Sequence, residues 1–247
     1  MSTYPIFVLN LSDQTSRLAQ ISEQLERFGL GFERVEAIDG RQGLPDEYLP
    51  DIDRVGAETY MKRRLSDGEF ACALSHRSMY QLIVDRDLPG AVILEDDAGL
   101  SDRFGEFMDS RLYLKAPMIL FNYSRVSVTR AHWPKIGGVG RLARIMVNPD
   151  HATGYSLSHA VAKKLLKRTQ PIRSVADWPC PLFHVRAYAV TPRLVTPHEE
   201  FAGVSALEVG RRNSLDEMRA EGAKKKTAKR YLSGEYWRTR ISIRLDP

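Results

Sequence analysis

The chain opens on an apolar stretch, Tyr4 to Leu11, short and rich in Ile, Phe and Val, which is the pattern of a buried strand. Ser12 and Asp13 both suit a helix N-cap. Beyond them Leu18, Ile21, Leu25 and Phe28 recur at helical spacing until Gly29 ends the pattern. Phe32 to Ile38 reads as a second strand closed by an Asp39-Gly40 turn, so this region predicts a β-α-β unit with parallel strands. Residues 41–66 carry Pro and charge with little periodicity, which predicts a long loop or an irregular helical insertion of the kind that often borders a functional site. A helix follows from Asp67-Gly68-Glu69 to about Asp87, with Cys72, His76, Met79, Tyr80 and Ile83 on one face. Pro89-Gly90 ends it. Ala91 to Leu94 is then a buried strand that runs straight into Glu95-Asp96-Asp97.

Downstream, the pattern predicts a helix over about 101–111, strands at Met118 to Asn122 and Arg141 to Val147, and a helix from about Ser158 to Arg168 after Gly154-Tyr155-Ser156-Leu157. An extended piece near Val185 to Val190 closes the core. Residues 130–140, with Trp133-Pro134 and Gly137-Gly138-Val139-Gly140, read as a mobile loop. The glycines lack the spacing and strand-to-helix context of a phosphate-binding fingerprint. Alternating strands and helices predict an α/β sandwich.

Composition fits one large domain, or a domain with an appendage: 247 residues, 43% hydrophobic and 27% charged. No apolar run approaches the roughly 20 residues that span a bilayer. The opening residues show no basic segment or cleavage site of a secretory signal, so cytoplasmic residence is expected, at most peripheral on the inner membrane face. Cys72 and Cys180 are expected to be free core thiols. Charge is uneven: from Arg211 to Pro247 there are 11 Lys or Arg against 5 Asp or Glu, while residues 1–210 sum to −1.

The chemistry concentrates at Glu95, Asp96 and Asp97. Ligands of open α/β sheets gather at the carboxyl ends of strands. Three adjacent acids repel one another and are costly to bury without a cation. Mg²⁺ or Mn²⁺ takes one or two carboxylates and completes its shell with phosphate oxygens and water. An acidic surface turn would have the same sequence.

Gly68-Glu69-Phe70-Ala71-Cys72-Ala73-Leu74-Ser75-His76, followed by Leu88-Pro89-Gly90-Ala91-Val92-Ile93-Leu94-Glu95-Asp96-Asp97, resembles the central signature of glycosyltransferase family 25. Val8-Leu9-Asn10-Leu11 with Arg17, Val35-Glu36-Ala37-Ile38-Asp39-Gly40, Ala152 to Ser158, and Val175-Ala176-Asp177-Trp178 resemble further family segments in the same order, over roughly residues 5–200. The resemblance implies a GT-A type nucleotide-diphospho-sugar transferase fold: a mixed, mainly parallel central sheet flanked by helices, over residues 1–205. It implies a UDP-sugar donor, inversion at the anomeric carbon, Mn²⁺ or Mg²⁺, and a lipooligosaccharide-type glycan or glycolipid acceptor. The metal carboxylates carry over onto Asp97 and Asp96, with Glu95 facing the ribose or a metal-bound water. Asn10 and Arg17 fall where such folds hold the base, and Ser75, His76 and Tyr155 are further donor-side residues. His76 stands on an apolar helix face, where a satisfied core histidine is the ordinary finding. Inverting transfer needs a base near the acceptor hydroxyl, for which Asp177 is the candidate. Trp178 is then available to stack on a sugar. Asp177 would equally suit a helix cap; Asp150 and Glu199 are weaker substitutes. Ser174-Val175-Ala176 departs from the family's usual residues before this Asp, so the acceptor side is expected to differ.

Residues 206–247 form a basic helical or flexible tail in which Lys224-Lys225-Lys226 and Lys229-Arg230 precede Tyr236, Trp237 and Ile241, a composition suited to an anionic membrane surface. No nucleic-acid recognition fold accompanies it. A hexosyltransferase leads. A metal-dependent phosphohydrolase or nucleotidyltransferase, or a non-catalytic membrane- or nucleic-acid-binding module, stays open on sequence alone.

Overall fold

A computed structural model describes residues 3–198 and 233–245. Strand β1 (Ile6–Asn10), helix α1 (Thr15–Arg27) and strand β2 (Glu33–Glu36) form the expected unit, and β1 pairs with β2 in parallel. Ile21 and Leu25 are the buried stripe of α1. Its N-cap is Gln14 rather than Ser12 or Asp13, with no side-chain cap bond. The stretch 41–66 holds a 3₁₀ turn (Asp46–Asp51) and helix α2 (Arg54–Met61). Only Ala57 of α2 is buried, which is why no apolar period marks it. Helix α3 (Asp67–Asp85) begins with a capping box, Ser66 accepting from the Glu69 amide while the Glu69 carboxylate accepts from the Ser66 amide.

β3 (Gly90–Glu95), β4 (Ala98–Leu100), α4 (Arg103–Asp109), β5 (Met118–Leu120), β6 (Val126–Val128), β7 (Lys135–Ile136), β8 (Gly140–Val147), β9 (Gly154–Ser158), α5 (His159–Arg168), β10 (Ala187–Thr191) and β11 (Val195–Pro197) follow. Helix α6 (Gly234–Ile241) and strand β12 (Ile243–Leu245) end the described chain. The main sheet has the order β12-β6-β8-β10-β5-β9-β3-β1-β2, with β7 beside β8, and β4 pairs with β11 apart from it. The sheet is mixed and flanked by helices. It is not mainly parallel, however: β1–β2, β1–β3 and β5–β10 run parallel, and the other pairs are antiparallel. Parallel neighbours need a crossover of about a dozen residues or more. The links between β6, β7 and β8 are too short for that. For the same reason residues 130–140, expected as a mobile loop, contain β7 and the turn of a hairpin into β8.

One sheet face packs Met79, Tyr80 and Ile83 of α3 and Val161 and Leu165 of α5 over Phe7, Ile93 and Tyr155. The other packs Ile21 and Leu25 of α1 and Phe104 and Phe107 of α4 over Val8, Val92 and Leu94. A third cluster, with Leu44, Phe70 and Leu74, fastens the 41–66 insertion to α3. Cys72 and Cys180 are free thiols. Most of the tail expected at 206–247 lies outside the described residues. Its described end does not stand apart, since β12 pairs antiparallel with β6.

Gly90 starts β3 beneath the ring of Tyr4, which stacks on Tyr113 at 4.7 Å between centroids. A methyl group there would meet the Tyr4 ring and the backbone oxygen of Leu157, and the backbone cannot yield without breaking the β3–β9 ladder. Gly90→Ala is therefore expected to lower the unfolding free energy by about 2–3 kcal/mol in urea denaturation, and an unchanged midpoint would contradict this packing.

Candidate active site

The ends of β1 and β3 and the N-terminus of α3 enclose a cleft of about 500 Å³ whose lining includes Asn10, Arg17, Cys72, Glu95, Asp96 and Asp97. The three acids are together in the cleft wall because β3 ends at Glu95 and the next two residues turn toward β4. Their backbone is fixed on both sides: the Glu95 amide donates to the Thr153 carbonyl and the Asp96 amide to the Leu9 carbonyl.

Each carboxylate has a different environment. Glu95 accepts from His76 Nε2 at 3.0 Å. A carboxylate can only accept, so Nε2 carries a proton. His76 is 1% exposed, and its Nδ1 lies 2.8 Å from the Tyr155 hydroxyl, which contacts the Tyr80 hydroxyl at 3.2 Å. Asp96 accepts from Asn10 Nδ2 at 2.7 Å and pairs with Arg17 at 3.6 Å. Burial raises its pKa, while Asn10 and Arg17 pull it back and Glu95 pushes it up again. The Asp97 Oδ1 atom is buried without a hydrogen-bond partner. Burial, then the charges of Glu95 and Asp96, push the Asp97 carboxyl up to about 7. One acid is held by a histidine and one by an amide and a guanidinium. The third lacks a counter-charge of comparable strength.

The rim supplies basic and small groups. Arg41 pairs with Asp13 at 2.9 Å and with Asp39 at 2.6 Å, holding both acids below the ordinary carboxylate range. Gly40 is required beside them, because a Cβ there would come within 2.5 Å of the Asp67 carbonyl oxygen.

Several expected donor residues act one step behind the surface. Asn10 is 1% exposed and its Nδ2 donates both to Asp96 and to the Gln14 carbonyl, so it orients the acid, while its Oδ1 is buried in the cleft wall without a hydrogen-bond partner. Ser75 borders the cleft, but its hydroxyl accepts from the Ile38 amide and donates to the Ala71 carbonyl. His76 and Tyr155 are buried behind the wall and reach the cleft through Glu95. Trp178, expected to stack on a sugar, is 5% exposed and packs edge-on against Tyr155 at 5.4 Å, so its ring belongs to the core. The half-buried Asp177 beside it does not line the cleft, yet its charge, with those of Glu95 and Asp97, helps push the Cys72 thiol up, an effect led by burial. Asp177 is thus within electrostatic reach of the cleft wall. Asp150 is exposed, and Glu199 lies outside the described residues.

Cys72 and Arg41 are cleft residues that their sequence context did not reveal. Cys72 sits one turn before His76, so helical spacing placed it on the right face. Arg41 follows a turn and carries no pattern. Cys72, His76 and Glu95 bring ligand atoms within 4.8 Å of one another. As a metal site this triad is poor: both His76 ring nitrogens are engaged, and the thiol is pushed away from the thiolate that binds metal. The oxygen donors of Asp97 and Asp96 fit a hard divalent cation better.

The Asp97 carboxyl titrates higher when folded than its ordinary 3.8, so its charge opposes folding. The penalty is absent below pH 4, grows between pH 4 and 7, and is complete above 7. In chelator, Asp97→Asn is expected to stabilise the protein by roughly 2–4 kcal/mol at pH 8 and by almost nothing at pH 4. Thermal unfolding across that range is the measurement, and a variant less stable at pH 8 would show that Asp97 is not strained.

The sequence model described as glycosyltransferase family 25 (LPS biosynthesis protein) matches residues 3–179. A "Glycosyltransferase 25 family member" of Aedes aegypti is 29% identical over 177 residues, covering 68% of this chain and 28% of that one. "Inactive glycosyltransferase 25 family member 3" of Mus musculus is 28% identical, covering 68% and 29%. "Procollagen galactosyltransferase 2" of Homo sapiens is 30% identical over 106 residues, covering 40% and 16%. The chain thus spans less than a third of the length of these curated relatives. Among solved structures, a glycosyltransferase involved in glycosylation of the PBCV-1 major capsid aligns over 69% of each chain at 11% identity and a TM-score of 0.32. With the family's sequence pattern running through β1, α3, β3 and the Asp177 loop, this chain belongs to glycosyltransferase family 25.

Proposed function

We propose that this chain is a metal-dependent, inverting hexosyltransferase that moves galactose or glucose from a UDP-sugar to a lipooligosaccharide- or lipopolysaccharide-type glycan or glycolipid. The observation that carries the reading is the Asp97 oxygen: buried, without a hydrogen-bond partner, and beside two further carboxylates in the wall of the cleft. A cation and a diphosphate would complete that arrangement; a surface turn would not need them. Galactose is favoured among hexoses by the name of the human relative, and the glycan type by the description of the family.

Asp97, with Asp96, would hold Mn²⁺ or Mg²⁺, and the bound ion would neutralise charge developing on the departing diphosphate. Asn10 and Arg17 keep Asp96 aimed into the cleft by two different contacts. His76 fixes one oxygen of Glu95 and leaves the other for a ribose hydroxyl or a metal-bound water. Asp177 takes the proton of the acceptor hydroxyl as that oxygen attacks the anomeric carbon and UDP leaves, the step a general base must perform in inverting transfer.

A donor screen separates this reading from the others. UDP-galactose or UDP-glucose together with Mn²⁺ is expected to raise the thermal midpoint, by the equivalent of about 2.7 kcal/mol at a hundredfold excess over Kd, with little effect from either alone and none in Asp97→Ala. Release of phosphate or pyrophosphate without sugar transfer would instead identify a phosphohydrolase or nucleotidyltransferase. Asp177→Asn is expected to keep the donor-dependent stabilisation and to lose roughly a hundredfold or more in transfer to a glycan acceptor. Undiminished transfer would remove Asp177 from the mechanism.

A further inference from the structure

The sheet edge opposite the cleft collects positive charge. β6, β7, β8, α6 and β12 are built from residues 125–147 and 233–245, which hold eight Lys or Arg and one acid, Glu235. That is +7 in 36 residues, against +5 for the whole chain. Arg125, Arg130, Lys135, Arg141, Arg240 and Arg244 are all exposed. Among the described residues none of the eight cations pairs with a carboxylate. Contacts with backbone carbonyls, a tyrosine hydroxyl and aromatic rings hold five of them without neutralising them. Arg130 donates to the Ile241 carbonyl at 3.0 Å, Arg141 to the Trp133 carbonyl at 3.1 Å and Arg238 to the Met146 carbonyl at 3.0 Å. The Arg144 and Arg238 guanidinium groups lie over the Phe183 ring at 4.8 and 5.1 Å.

In the middle of this field α6 exposes two large apolar side chains. Trp237 is 56% and Ile241 58% exposed, and their four-residue spacing puts them on one helix face. Fixed guanidinium groups suit phosphate headgroups, and an indole beside an aliphatic chain suits the boundary between headgroups and acyl chains. A nucleic acid would use the same arginines and could stack on Trp237, but it has no use for an exposed isoleucine.

We propose that this sheet edge is a docking surface for an anionic phospholipid bilayer, with Arg130, Arg240 and Arg244 at the headgroup phosphates and Trp237 and Ile241 at the acyl boundary. Five strands separate β12 from β3, about 29 Å at the usual strand spacing, so docking leaves the acid cleft open. The inference does not rest on the donor reading, and its test contains no nucleotide.

The test is co-sedimentation of the full chain with vesicles of phosphatidylcholine alone or mixed equally with phosphatidylglycerol. Binding at least roughly tenfold tighter to the anionic vesicles, weakening with salt, is expected. The Trp237→Ser, Ile241→Ser double variant and the Arg240→Glu, Arg244→Glu double variant should each lose roughly tenfold or more with unchanged thermal midpoints, because all four residues are exposed. Ile241→Ser alone serves if the first pair unfolds. Lipids brominated along the acyl chain should quench Trp237 fluorescence, measured as the difference between the native chain and Trp237→Phe. Equal binding to both vesicle types, binding unaffected by these variants, or Trp237-dependent binding to homopolymeric RNA in place of vesicles would overturn the proposal.

Discussion

Three carboxylates in successive residues, at the mouth of a strand with fully buried neighbours, impose an electrostatic debt that the surrounding structure answers piece by piece. Glu95 receives a histidine from α3, and Asp96 an asparagine from β1 and an arginine from α1. These partners come from three separate elements, so the order of β1, α1, α3 and β3 in space is also the order in which charge is balanced. Asp97 is left over, and burial beside the charges of Glu95 and Asp96 raises its proton affinity. A protein selected for stability alone would have little reason to keep it.

The fold places this imbalance where a ligand can reach it. β1 and β3 run parallel with both faces covered, which drives their apolar runs into the core and leaves their carboxyl ends as the place for polar side chains. The 41–66 insertion is fastened by its own apolar cluster, and the Asp67 carboxylate accepts from the Leu44 amide at 3.1 Å while pairing with Arg54 at 2.7 Å. The cleft rim is therefore anchored by packing and ion pairs. Family 25 membership is consistent with this division: its pattern covers the strand ends and the helix that serve the acids and stops before the arginine-rich C-terminal edge is complete.

Legibility in the sequence followed the range of the interaction. β1, α3 and β3 were readable because local periodicity and burial coincide in them; α2 was not, because a single buried alanine leaves no stripe. The hairpin of β7 and β8 was hidden by four residues, three of them glycine, that resemble a linker. The docking of β12 on β6 joins segments more than a hundred residues apart, which no window can sense. At the site the acids were legible from the strand that delivers them. The roles of Asn10, Ser75 and His76 as supports for other groups were not, since sequence reveals which residues are chemically able and not which hydrogen bonds they have already made. Trp178 shows the same limit, an aromatic beside an acid that packs inward.

The position of Tyr155 has a consequence for how such a protein can diverge. Its hydroxyl meets His76, which secures Glu95, and its ring meets Trp178, which neighbours Asp177. A single phenol thus touches the support of the acid cluster and the loop of the proposed base. Drift in that loop, as toward a new acceptor, must keep a flat partner for this ring or disturb the histidine behind the acids. Freedom to change the Asp177 loop is in this way bounded by a fully buried residue that does not itself line the cleft.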